Sequence, residues 1–274
     1  MAGPLAVLAL VGWLVFRDAG ASGTPGSLAS HRPPDVHALA VHPDDAGTLI
    51  FGSHAGIMVS RDSGKTWTSV GPRGDAMGLA IPPGSRTAYA AGHDVFFRSD
   101  DGGETWTTFR APLPGTDIHG LTASAVQKGT FYAFVVGQGL FRSDDSGETW
   151  QVAGQPPGST MSLAAANGAG GEVLFATTMQ GVQRSSDGGR TWEPVPELGS
   201  AYVSAAGSTV YAASRGRIFT SSDGGSTWEE RAFPRGDAVL IAASPEAPST
   251  LYVVTGQLEV WRSPDGAATW ERAG

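Results

Sequence analysis

Cysteine is absent from this 274-residue chain, which excludes disulfides, thiolate metal sites, a cysteine nucleophile and a lipidated N-terminal cysteine. Basic charge is scarce. The 18 Lys and Arg stand against 26 Asp and Glu, for a net charge of −8, and no basic run is present that could track a phosphate backbone, so no nucleic-acid partner is expected. Also missing are a phosphate-cradling glycine loop that opens a helix and a Gly-x-Ser-x-Gly nucleophile elbow. Long apolar runs are confined to the N-terminus, where Met1 to Phe16 carries no charge and is followed by Arg17 and Ala19-Gly20-Ala21. The stretch from Leu5 to Phe16 falls short of the roughly 20 residues that span a bilayer, and Ala-x-Ala suits cleavage after Ala21. Residues 1–21 are therefore expected to be a signal peptide or, if uncleaved, an N-terminal anchor. Either places the rest of the chain outside the cytoplasm, with membrane contact only through that segment. Residues 22–34 are small, polar and proline-rich, the composition of a linker.

What the sequence has in abundance is turn residues, 39 Gly and 18 Pro, between short apolar stretches, as expected for many strands and few helices. It also repeats. SRDSGKTW from Ser60, SDDGGETW from Ser99, SDDSGETW from Ser143, SSDGGRTW from Ser185, SSDGGSTW from Ser221 and SPDGAATW from Ser263 share the form S-x-D-x-G-x-T-W, and only Ala267 departs from it. The closing tryptophans, Trp67, Trp106, Trp150, Trp192, Trp228 and Trp270, are 39, 44, 42, 36 and 42 residues apart, a period typical of propeller blades. Each unit divides into four strands, as in DVHALAVHP, TLIFGSH, GIMVSRD and TWTSV. A four-stranded sheet of this size cannot bury both faces alone, and packing six around an axis solves that problem. Residues 35–274 are thus expected to form an all-β, six-bladed β-propeller of four-stranded antiparallel blades. A monomer is expected, closed by blade packing because no residues remain for a strand exchange.

The repeated motif resembles the Asp-box, or BNR, repeat of sialidases, other glycoside hydrolases, sortilin-type receptors and photosystem II assembly factors. The short units and segments such as DVHALAVHP are most similar to bacterial propellers labelled glycosylhydrolase by similarity and to the photosystem assembly type. The resemblance implies that the boxes lie at the periphery, away from the ligand-binding face. The box residues also have sufficient structural roles. Asp62, Asp101, Asp145, Asp187, Asp223 and Asp265 can accept backbone N–H bonds in a turn, glycine permits positive φ, and tryptophan fills the space between blades.

If each unit begins with the innermost strand, the start of that strand and the turn between strands two and three share the face opposite the boxes. Aligned inner strands give a first column of Asp35, Asp75, Asp117, Ser159, Ser200 and Asp237 and a third column of His37, Met77, His119, Met161, Tyr202 and Val239. Six residues before each box serine lie His54, His93, Gly137, Met179, Arg215 and Gln257. Four of the six histidines therefore fall in these two columns. Imidazole with thioether suits copper, and imidazole with carboxylate suits zinc, so His37, His54, Met77, His93 and His119 are candidate metal ligands, with Met161 and Met179 as outer candidates. Asp35 and Asp117 share a strand face with His37 and His119 and could orient them. The alternative is that these side chains plug the channel mouth, each imidazole bonded to a neighbouring carboxylate.

The primary functional expectation is an exported binding or assembly module that holds a protein partner or small ligand, with copper or zinc as the candidate cofactor, on the face opposite the boxes. The second is a glycoside hydrolase of unknown specificity, for which Asp35, Asp75, Asp117, Asp237, Tyr202 and Arg215 are the candidate catalytic residues. The sialidase resemblance implies an arginine triad and a Tyr nucleophile assisted by Glu. Here the nearest matches are Arg32-Pro33-Pro34, Arg215, Tyr202 and Glu197. Units of about 40 residues leave little chain for the long loops of a sugar cleft.

Overall fold

A computed structural model describes residues 24–82 and 84–274. The expected signal or anchor segment lies outside the described residues. Those residues form six four-stranded antiparallel sheets, each with its strands in sequence order. The inner strands are Ala38–His42, Gly78–Ala80, Ile118–Ala123, Thr160–Gly168, Tyr202–Ala206 and Ala238–Ala243. Each inner strand packs beside the next, and the last packs beside the first, closing a ring. The chain is a six-bladed β-propeller, as the repeat spacing implies.

Six apolar layers fill the gaps between blades. Strand alternation serves two layers at once. In the second strand of the first blade, Asp45–Ser53, Leu49 and Phe51 face the layer toward the sixth blade, while Ile50 faces the layer toward the second. Each box tryptophan lies in the layer toward the preceding blade: Trp106 against Ile50 and Ile57, Trp150 with Tyr89 and Phe96, and Trp228 with Phe175. Trp67 does the same with Tyr252 and Val260 of the sixth blade, so the first box helps to close the ring. Burying one such aromatic side chain contributes roughly 1.5–3 kcal/mol.

Part of the proline-rich stretch expected to be a linker is docked. Ser27 caps a one-turn helix, Leu28–His31, whose Leu28 is buried in the layer between the first and sixth blades. Gly26 pairs with Trp67, and a ring nitrogen of His31 bonds the Trp67 carbonyl oxygen at 2.9 Å. A single leucine amid polar residues carries no periodicity, which is why composition alone suggested a free segment. Among the described residues no helix is long and apolar enough to cross a membrane.

Candidate functional site

Within each blade the third strand runs from the turn that joins it to the second strand to the box, so the two features lie at opposite ends. In the first blade, Ser53 pairs with Gly56 at one end and Leu49 with Ser60 at the other. At the box end all six motifs repeat one network. The serine hydroxyl donates to the aspartate, the aspartate accepts the threonine N–H and hydroxyl, and the serine oxygen accepts the N–H of the fourth residue on. Such bonding favours the carboxylate. The Thr149 hydroxyl, then the Thr149 N–H and the Ser143 hydroxyl, hold Asp145 down to about 2. Asp187 and Asp223 are lowered further by the equivalent threonine bonds.

The opposite end is built differently. In the third blade, Ile118 pairs with Val135 and Gly120 with Phe134, so His119 between them has no partner of its own. Met161 and Val239 are extra residues in the same way in the fourth and sixth blades. In the first two blades, His37 and Met77 donate N–H bonds to Gly52 and Ala91, which also pair with Ala38 and Gly78. The third column is therefore a bulge position in five blades, Tyr202 of the fifth pairing regularly with Ala213, and a bulge re-aims its side chain. Two of the first-column aspartates, Asp35 and Asp75, tie down the neighbouring turn. Asp35 Oδ1 accepts the His54 N–H at 2.9 Å, and Asp75 Oδ2 accepts the His93 N–H at 3.3 Å.

These features bring four of the five proposed metal ligands and three of the four candidate acids into one arc over three blades. Carboxylate and imidazole alternate along it. His54 Nδ1 contacts Asp35 Oδ2, and its Nε2 lies 3.5 Å from Asp75 Oδ2. His93 Nδ1 lies 2.6 Å from that same Asp75 oxygen, and its Nε2 lies 3.4 Å from Asp117 Oδ1. His37 Nε2 is 3.0 Å from His54 Nδ1, and His119 Nε2 is 3.2 Å from His93 Nε2. The rings of His54 and His93 stack 5.9 Å apart. His54 and His93 are 45% and 46% exposed in their side chains, whereas Asp75 between them is 8% exposed. Burial lowers the His37 pKa, partly offset by the Asp75 carboxylate and reinforced by His93. Three acid–imidazole groups have donor atoms close enough to share an ion: Asp35, His37 and His54; His54, Asp75 and His93; and His93, Asp117 and His119.

The row of imidazoles ends at Gly137, the third-blade turn residue. Met77 is buried beside His37, Tyr202 and Leu240 around a cavity of about 70 Å³ at the channel mouth. Met161 and Met179 stand exposed on the fourth blade, beyond the end of that row. Burial pushes the Tyr202 phenol up, the wrong direction for a nucleophile that must ionise. Arg215, at a positive φ of 48°, lines an outer groove with Glu197 and Arg217. Asp237 keeps a buried oxygen without a hydrogen bond. Sequence reasoning missed that Asp75, opposite no histidine in its own column, bridges imidazoles of two blades; its place in a column of aspartates was the available signal.

The BNR/Asp-box repeat model matches residues 97–108, which contain the second box. No curated protein matches this sequence. Among solved structures, YCF48 bound to D1 peptide is 20% identical, with 86% of this chain and 81% of that one covered and a TM-score of 0.51. The GH74 xyloglucanase from Xanthomonas campestris is 19% identical over 86% of this chain and 45% of its own, with a TM-score of 0.60. PorZ, a surface component of the type-IX secretion system of Porphyromonas gingivalis, is 16% identical over 88% of this chain and 32% of its own, with a TM-score of 0.53. The chain thus spans less than half the length of the last two. At these identities the likeness is one of fold.

Proposed function

We propose that this Asp-box propeller is an exported binding or assembly module that holds a protein or peptide partner, or a small ligand, on the arc face. The observation that carries the reading is a polar, partly exposed arc of four imidazoles and three carboxylates presented on short turns. The cavity at the channel mouth is about 70 Å³, and a second, lined by Asp94, Phe96, Phe109, Leu113 and Thr116 beside the arc, is about 290 Å³; both fall below the roughly 300–1,000 Å³ of a typical small-molecule pocket. The likeness to YCF48 bound to D1 peptide supports a peptide or protein as the partner. Imidazoles and carboxylates are the chemistry such a partner would meet.

The second reading, a glycoside hydrolase, draws on the likeness to the GH74 xyloglucanase. It needs two carboxyls free to flank a sugar bond, yet Asp35, Asp75 and Asp117 each have an imidazole within contact distance. The two readings separate by experiment. A photo-crosslinking residue in place of Met179 is expected to capture a partner in the producing cell, and one in place of Lys65, at the box end, is not. His54→Ala/His93→Ala should abolish the capture. Equal capture from both ends overturns the docking face. Hydrolysis of aryl glycosides that disappears in Asp35→Asn or Asp117→Asn establishes the hydrolase instead.

A further inference from the structure

We propose that His93 Nε2, His119 Nε2 and Asp117 Oδ1 are the protein ligands of one divalent cation of the zinc class. The three atoms form a triangle with edges of 3.2, 3.4 and 3.1 Å. A tetrahedral zinc ion with donors at about 2.0–2.1 Å places neighbouring donors about 3.3 Å apart, so the triangle has the size of one tetrahedral face. The fourth position would be left for water or for a carboxylate or imidazole from a partner, since the His93 and Asp117 side chains are each 46% exposed. Three protein ligands and one open position is the arrangement of an exchangeable rather than a closed structural zinc site.

Two further observations point the same way. Asp117 Oδ1 is buried as an atom and has no hydrogen bond, although two ring nitrogens lie within reach. Beside it, Asp75 lies 2.6 Å from His93 Nδ1 and is 8% exposed. With an ion at Nε2 the ring proton sits on Nδ1, and a carboxylate at this distance would stabilise that tautomer, which makes Asp75 the positioning residue. Its own Oδ1 is also buried and unpartnered.

The other arc groups are less suited. In the Asp35, His37 and His54 group, the carboxylate is already engaged by the His54 backbone N–H at one oxygen and the His54 ring at the other. In the His54, Asp75 and His93 group, the Asp75 oxygen nearest the rings already accepts the His93 backbone N–H. The triad also lacks sulfur, and Met77 is packed at the channel mouth beside His37. A set of two imidazoles and a carboxylate is borderline to hard, which suits Zn²⁺ and not Cu⁺.

The test is calorimetric titration of Zn²⁺ into full-length protein purified without a histidine tag and stripped with chelator. Uptake is read on the isolated chain, so it is independent of partner docking. One equivalent is expected to bind. His93→Ala/His119→Ala and Asp117→Asn should each weaken binding at least about 100-fold, and Asp75→Asn about 10- to 100-fold at unchanged stoichiometry. Met77→Leu and His31→Ala should bind as the wild type does. Asp117→Asn is nearly isosteric and carries the test if the double variant fails to fold. Co²⁺ in place of Zn²⁺ should give a tetrahedral visible spectrum that Asp117→Asn loses. Wild-type protein that takes up no zinc, or a folded Asp117→Asn protein that binds it unchanged, overturns the proposal. So does tight Cu⁺ binding lost in Met77→Leu without any Zn²⁺ binding.

Discussion

At the box end of the second blade, Asp101 accepts the N–H groups of Glu104 and Thr105 and the hydroxyls of Ser99 and Thr105. At the arc end of the same blade, Asp75 accepts one backbone N–H, faces three imidazoles and keeps one buried oxygen without a hydrogen bond. The first carboxylate is satisfied within its own turn. The second is satisfied only by groups from other segments, and incompletely. A saturated aspartate holds a turn; an unsaturated one beside imidazoles retains capacity to bind something else. Six repeats of the first kind explain the fold, and one stretch of three blades carries the second.

The sharpest way to break this comparison is at the glycines. Gly225, in the fifth box, has φ +80°, and a Cβ there would lie 2.3 Å from Phe175 Cζ in the adjoining blade. Gly225→Ala is expected to cost roughly 2–4 kcal/mol, combining left-handed backbone strain with overpacking. Gly137, at φ +72° in the third-blade turn at the arc end, has nothing within 4 Å of such a Cβ. Gly137→Ala should therefore cost only backbone strain, about 1–2 kcal/mol. Urea midpoints at constant slope check both, and equal losses would deny the box its packing role.

Next come the two aspartates. Asp101→Asn removes a charged acceptor from four bonds and should destabilise the metal-free protein by roughly 2 kcal/mol, after allowing for its partial exposure. Asp75→Asn, at pH 8, relieves a buried charge with an unpartnered oxygen and should stay within about 0.5 kcal/mol of the wild type. An equal loss at Asp75 would mean that both ends are saturated alike.

Acidification separates the ends on one sample. The His37 pKa lies below its ordinary 6.5, chiefly through burial, so the unfolded chain binds more protons just below that pH. Stability from this site is present above pH 6.5 and is lost as pH falls through the lowered folded value. The box carboxylates are also lowered, from 3.8 to about 2 at Asp145 through its threonine and serine bonds. Their contribution is present above pH 3.8 and is lost as pH falls toward 2. Two successive declines in melting temperature are expected, and His37→Ala should remove the upper one. The smallest effect belongs to Ala267, the one box residue that replaces glycine, held at φ +71°. Ala267→Gly should raise stability by less than about 1 kcal/mol, since relief of strain is partly offset by the lost methyl burial.

The structure clarifies how far the residues spoke for themselves. Ser60, Asp62 and Trp67 with their five counterparts recur at blade spacing because each box closes a local turn, and local chemistry leaves a local pattern. The same register brought His37, His54, His93 and His119 into two columns, although alternation along a regular strand would not place His119 correctly. A bulge inserts it between Ile118 and Gly120, and nothing in the residue types marks the extra residue. Docking of Leu28 against the first and sixth blades was likewise invisible, since it depends on a gap formed by residues more than 200 positions apart.

By itself, then, the sequence determined the number of blades, their strand order, the satisfied turns and the columns that hold His37, His54, His93 and His119, because these depend on residues within one repeat. Only the tertiary structure decided that Asp75 stands between His54 and His93, that Asp117 meets two ring nitrogens, and that Met161 and Met179 lie beyond the row of imidazoles. Those relations cross from one blade to the next. They are set by the bulged inner strands and the curvature of the closed ring, which no single repeat encodes.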